Sequence, residues 1–187
     1  DPRTAANALR HLWTLSVEEQ FYLVFPLLLL GATRLGARRA VLGSAALVSS
    51  GLAVALAGGH VPGVETAGPR VAFYSAPTRA WEFLAGCLLA LVVARGWSPS
   101  RAVADGCGAV GAVLLVGAVV AFDEATAFPW PVGVVSVLAA MLLLAAGSGD
   151  GGRVSAALAV APARWLGDRS YGWYLWHWPF VVFARSL

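Results

Sequence analysis

Six runs of predominantly apolar residues, each close to the length an α-helix needs to cross a bilayer, leave this chain few ways to fold. A spanning helix takes about 20 apolar residues. By that measure candidate spans cover residues 16–33, 40–57, 77–94, 103–121, 131–147 and 165–185. The segments between them are short and carry Gly, Pro and Arg, which end helices and mark turns. Hydrophobic residues make up 59% of the chain and charged ones 12%, with a mean hydropathy of +0.73, which excludes an ordinary soluble domain. The expected fold is all-α: a polytopic transmembrane helical bundle of about six spans, with no internal repeat and no separate soluble domain.

The chain opens at Asp1 without the charged, apolar and small-residue regions of a signal peptide. It closes at Leu187 inside an apolar run, so it is expected to be a piece of a longer protein. All thirteen basic residues are arginine and they are spread over the loops, so membrane topology accounts for the pI better than a nucleic-acid partner does. The loops after the first, third and fifth spans hold eight of them, from Arg34 to Arg169; the other side holds Arg3, Arg10, Arg70, Arg79 and Arg185. This bias puts the start of the first span, the loops 58–76 and 122–130 and the end of the last span on the outer face. Cys87 and Cys107 lie in apolar segments without CxxC or His/Cys spacing and read as small buried hydrophobes.

Against so little charge, three segments stand out. In HLWTLSVEEQFYLVFPLLL, residues 11–29, Glu18 and Glu19 sit at the mouth of an apolar run. Such charges are costly unless they cap a helix, find a partner or do chemistry. Ser16 followed three residues later by Glu19 has the capping-box pattern, which accounts for Glu19. Glu18 projects about 100° away round the helix and is left to bind a cation or accept a proton. His11 and Trp13 precede this helix at the interface, where Trp is an ordinary anchor. In FYSAPTRAWEFLAG, residues 73–86, Pro77 suits a first helical turn, and Arg79 and Glu82 share a face at i, i+3. They fit a local ion pair; equally, Arg79 has the donor fork to bind an anion or pair with Glu18 across the helices. In LGDRSYGWYLWHWPF, residues 166–180, Tyr171, Tyr174, His177 and Trp178 fall on one helical stripe. An imidazole flanked by Trp176 and Trp178 inside a span is a functional candidate by its cost. If the first, third and sixth spans are neighbours, all these polar groups meet near the outer edge. There is no Gly-rich phosphate loop, HExxH, GxSxG elbow or metal-ligand cluster.

Together and in this order the three segments resemble the later signature segments of the membrane acyltransferase 3 family, bacterial O-acyltransferases that modify surface glycans. The resemblance implies a bacterial multi-pass protein of the cytoplasmic membrane. It would move an acyl group, usually acetyl, from acyl-CoA to a hydroxyl of a saccharide or lipid-linked glycan, with no metal. The WHWP ending is similar to members that carry an extracytoplasmic SGNH-type domain. The family's catalytic histidine and its Arg-x-x-Arg motif lie in earlier helices and have no counterpart here, so the chain is expected to be the C-terminal portion of the membrane domain, inactive alone. The resemblance carries Glu18, Glu19, His177 and His11 over as the catalytic group. It carries Arg79 and Glu82 over as residues that bind substrate or structure the cavity, and Trp13, Tyr174 and Trp176 are expected to join them in that role. In this scheme Glu18 or Glu19 orients the absent base or binds the acceptor, while Arg79 and Glu82 hold the cavity's geometry. Two other readings fit buried charge and proline-broken helices: a transporter or flippase, and a non-catalytic membrane scaffold.

Overall fold

The structure, a computed structural model, describes residues 12–64, 66–123, 125–149 and 152–184. Among these residues it is all-α: α1 (Trp13–Arg34), α2 (Arg38–Ala57), α3 (Gly68–Tyr74), α4 (Ala76–Val93), α5 (Arg101–Ala121), α6 (Val132–Gly147), α7 (Arg153–Leu158) and α8 (Ala161–Ala184). Each expected span is a helix, but their number needs correction. Among the described residues four helices, α1, α2, α4 and α5, are long and apolar enough to cross a membrane. The fifth, α6, is apolar but has 16 residues. The sixth, α8, has 24 residues, and Arg164, Asp168 and Arg169 in its first half dilute its hydropathy.

The capping box is also corrected. Helix α1 begins at Trp13, with Leu12 at its N-cap and no side-chain cap. Ser16 and Glu19 therefore lie within the helix, where Gln20 Nε2 donates to the Ser16 carbonyl at 3.1 Å. Trp and Leu are adequate helix formers, so nothing in Trp13–Leu15 stops the helix from starting a turn early.

Two antiparallel pairs form the bundle, α2 with α4 and α5 with α6, and α4 and α6 join them. The α5/α6 seam is closed by small residues: a Cβ on Gly111 would lie 3.0 Å from Leu143 Cγ and 3.1 Å from the Ala139 carbonyl oxygen. Membrane helices pack this way because lipid tails give no hydrophobic drive and close approach supplies the dispersion energy. In α2 the contact positions are Leu42, Ser49, Ala53 and Leu56, all buried. Helix α1 leans on α2 and α4 with its outer face open, Leu23 and Leu27 being 75% and 70% exposed. At one end of the bundle lie the start of α1, the α3/α4 corner, the end of α5 and the start of α6; the other three turns gather at the opposite end.

Candidate functional site

The site grows from the corner between α3 and α4. Ser75 is extended, Pro77 sits in the first turn of α4, and the buried Thr78 hydroxyl sits 2.8 Å from the Ala72 carbonyl and 2.9 Å from that of Ser75, locking the bend. From α2, Ser49 Oγ donates to the Pro77 carbonyl at 2.6 Å and accepts the Trp81 N–H at 3.0 Å. Those two groups are the ends of one i→i+4 rung, so Ser49 clamps the turn that carries Arg79.

Arg79 and Glu82 form the expected ion pair. Nε and Nη2 of Arg79 donate to Glu82 Oε2 at 3.3 and 2.8 Å, with side chains only 22% and 16% exposed. The guanidinium carbon lies 5.5, 5.4 and 5.3 Å from the ring centroids of Trp13, Phe73 and Phe128. Partly desolvated cation–π contacts of this kind are worth about 0.5–2 kcal/mol each. The rings also pack on one another, Trp13 with Phe73 at 5.1 Å and Phe73 edge-on to Phe128 at 5.5 Å. Below this cap Glu82 Oε1 and Trp81 Nε1 are buried without a hydrogen-bond partner among the described residues. A buried polar atom left unpaired costs about 1–3 kcal/mol, so an open acceptor and an open donor stand beside the pair.

The other candidates divide. Phe21 of α1 stacks on Phe83 of α4 at 4.8 Å, and Glu18, one turn earlier, is half-buried on the edge of that face. Glu19 is exposed and projects to the other side. Among the described residues Arg79 pairs with Glu82 and makes no ion pair with Glu18. On α8 the Tyr174 hydroxyl is hydrogen-bonded to that of Thr14, which brings the last helix to the mouth of α1. His177 is on the same side of α8: its Nδ1 is 2.7 Å from the Tyr174 carbonyl oxygen and the two rings are 5.7 Å apart. Trp176 projects to the opposite side and packs on Phe180. His11 lies outside the described residues. The structure thus assembles Trp13, Arg79 and Glu82, with Glu18 beside them on α1 and Tyr174 reaching Thr14 at the same end, while His177 is exposed on α8.

Beside the aromatic cap opens a cavity of about 710 Å³, lined in part by Arg70, Phe73, Tyr74, Asp123, Thr126 and Phe128. Asp123 Oδ1 accepts from the Thr126 hydroxyl at 2.8 Å and the Ala125 N–H at 3.0 Å, which holds its carboxyl below the ordinary range. Sequence reasoning missed Phe128, Arg70 and Asp123. Phe128 comes from a loop far along the chain, and nothing local to it signals that it will cover Arg79.

These features define a multi-pass membrane protein with an ion pair enclosed by aromatic rings at one end of its bundle. The chain belongs to the acyltransferase 3 family, whose acyltransferase domain matches residues 4–187. It is 32% identical over 194 residues to peptidoglycan O-acetyltransferase OatA of Listeria monocytogenes serovar 1/2a, a match covering 97% of this chain and 30% of that protein. Putative peptidoglycan O-acetyltransferase YrhL of Bacillus subtilis strain 168 gives the same identity and coverage. O-acetyltransferase OatA of Staphylococcus aureus NCTC 8325 is 26% identical over 197 residues, covering 97% of this chain and 31% of that protein. The chain therefore spans about 30% of the length of these curated relatives. No solved structure matches it.

Proposed function

We propose that this chain is part of a bacterial cytoplasmic-membrane O-acetyltransferase that moves an acetyl group from acetyl-CoA to a hydroxyl of a peptidoglycan saccharide. Family membership sets the reaction class, and the names of the relatives point to the acceptor. The three segments resemble the family's later ones, which supports reading residues 1–187 as the C-terminal portion of the membrane domain. The observation in the structure that carries the reading is the Arg79–Glu82 pair under its aromatic cap, with Glu82 Oε1 open. Acyl transfer needs a base for the attacking hydroxyl and donors for the oxyanion that develops on the acyl carbonyl. A carboxylate oxygen without a partner can accept the hydroxyl's hydrogen bond. A guanidinium fixed by its other donors is preorganised to face the developing charge. Half-buried Glu18 is better placed than exposed Glu19 to orient a base supplied by another helix, and His177, one turn beyond Tyr174 on α8, is exposed. The neighbouring cavity, with aromatic rings for sugar faces and Arg70 and Asp123 for hydroxyls, suits the acceptor.

The test is transfer of labelled acetyl from acetyl-CoA to glycan by the full-length protein in membranes, with Glu18→Gln, Glu82→Gln and His177→Ala compared at matched abundance. Loss of transfer in Glu82→Gln and Glu18→Gln is expected. Wild-type rates in all three would overturn the assignment, and glycan flux without acetylation would overturn the reaction.

A further inference from the structure

At the end of the bundle opposite the aromatic cap, a cavity of about 460 Å³ is lined by Thr33, Gly36, Arg38, Arg39 and Arg95, with Ala37 and Ala40 completing its wall. The three guanidinium groups come from two separate turns, the one between α1 and α2 and the one after α4, which the antiparallel α2/α4 pair brings together. None of the three makes an ion pair; among the described residues the salt bridges are Arg79–Glu82 and Arg153–Asp105. The chain offers them no local partner, because no acidic residue lies between Glu19 and Glu65 or between Glu82 and Asp105. The three side chains are exposed, so solvent screens their mutual repulsion, but each keeps its donors free for an anion in the cavity.

The placement of Arg38 and Arg39 sharpens this. They occupy the first turn of α2, where the helix dipole disfavours cations, and α2 has no acidic residue there and no side-chain cap, its N-cap being Ala37. The positive-inside bias asks for arginines in this loop, but not for arginines in an uncapped first turn that converge with Arg95 on one cavity. Gly36, at φ +64, makes the reversal that lets the chain turn from α1 into α2 at the wall of the cavity. A bound dianion would pair with the guanidinium groups and accept from the free N–H groups of the first turn as well.

We propose that Arg38, Arg39 and Arg95 form a binding site for a phosphate-bearing ligand with at least two negative charges. The site stands on the arginine cavity alone and does not depend on the acetyltransferase reading. Two sources carry this chemistry: a soluble organic phosphate such as the nucleotide end of an acyl donor, and the headgroup of a lipid with two phosphates. Full-length protein in phosphatidylcholine nanodiscs titrated with adenosine 3′,5′-bisphosphate tests the first. Native mass spectrometry after reconstitution with cardiolipin, whose two phosphodiesters carry two negative charges, tests the second. Binding in either arm, weakened about tenfold or more in R38Q/R95Q and by raised salt, supports the site and names its source. R101Q, outside the cavity, should bind as the wild type does, and a wild-type melting profile for R38Q/R95Q excludes misfolding as the cause of a loss. Should R38Q/R95Q misfold, R95Q alone is read in the same way. No binding in either arm, or binding unchanged in the variants, overturns the proposal.

Discussion

A guanidinium beneath three aromatic rings keeps its charge in a poorly solvated place because Glu82 neutralises it and the ring faces attract it. The planar fork of arginine serves both contacts, and an ammonium reproduces neither geometry. Arg79→Lys should therefore lower acetyl transfer by roughly 10- to 100-fold, the worth of a charge-assisted forked bond, while the protein still elutes as a folded species. An unchanged rate would reduce the pair to architecture. Asp123 gives a pH signature outside the membrane. The Thr126 hydroxyl, and then the Ala125 N–H, hold its carboxyl below the ordinary range. A lowered native pKa means that its contribution is present above the unfolded value, about 3.9, and is lost as pH falls through the native one. Hydrogen exchange at Ala125, corrected for its intrinsic pH dependence, should stay protected down to about pH 4 and open below it. Thr126→Ala should move that opening to higher pH. At this scale the ion pair was legible because i, i+3 spacing is local. Phe128 was not, because only the packing of α6 against α4 brings it over Arg79.

Helices here are positioned by what they let come close. At Gly111 a side chain has nowhere to go between Leu142 and Leu143, whereas Gly117 has nothing within 4 Å of where its Cβ would be. Gly111→Leu should cost about 1–3 kcal/mol by overpacking, and Gly117→Ala should be neutral or stabilising by up to about 1 kcal/mol. Thermal unfolding in detergent followed by tryptophan fluorescence orders the two, and the reverse order would refute the seam. Ser49 is the analogous device between α2 and α4. Ser49→Ala lets the Pro77–Trp81 rung close on itself, so a loss of about 1 kcal/mol is expected in the same melt. Transfer should fall further than that loss explains, since Arg79 rides on the clamped turn. The pattern of spans was readable because 20-residue apolar runs have one stable backbone solution in lipid. The capping box was misread because a Ser-x-x-Glu string carries the same letters inside a helix as at its start. Backbone hydrogen bonding decided that α1 begins at Trp13.

The molecule as a whole is polar at its two ends and apolar between them, and the ends differ in kind. One gathers an ion pair, aromatic rings and the Asp123 loop, and the other gathers an excess of arginines, of which Arg153 alone is paired with an acid, Asp105, among the described residues. Helix α1, 22 residues long, separates them by about 33 Å at the helical rise. By the positive-inside bias the second end is expected to face the cytoplasm. A site that binds phosphate would then face the compartment where nucleotides are made, and the Arg79–Glu82 pair would face the wall. Labelling in intact cells checks this in full-length protein whose Cys87 and Cys107 have been replaced by Ala. Ala125→Cys, in the exposed loop beside the aromatic cap, should react with a membrane-impermeant maleimide without permeabilisation. Leu35→Cys, 75% exposed at the turn after α1, should react only once the membrane is opened. The opposite pattern would invert the molecule. It would place the phosphate site outside and the ion pair in the cytoplasm, and a cell-wall acceptor could then no longer reach the pair from its own side.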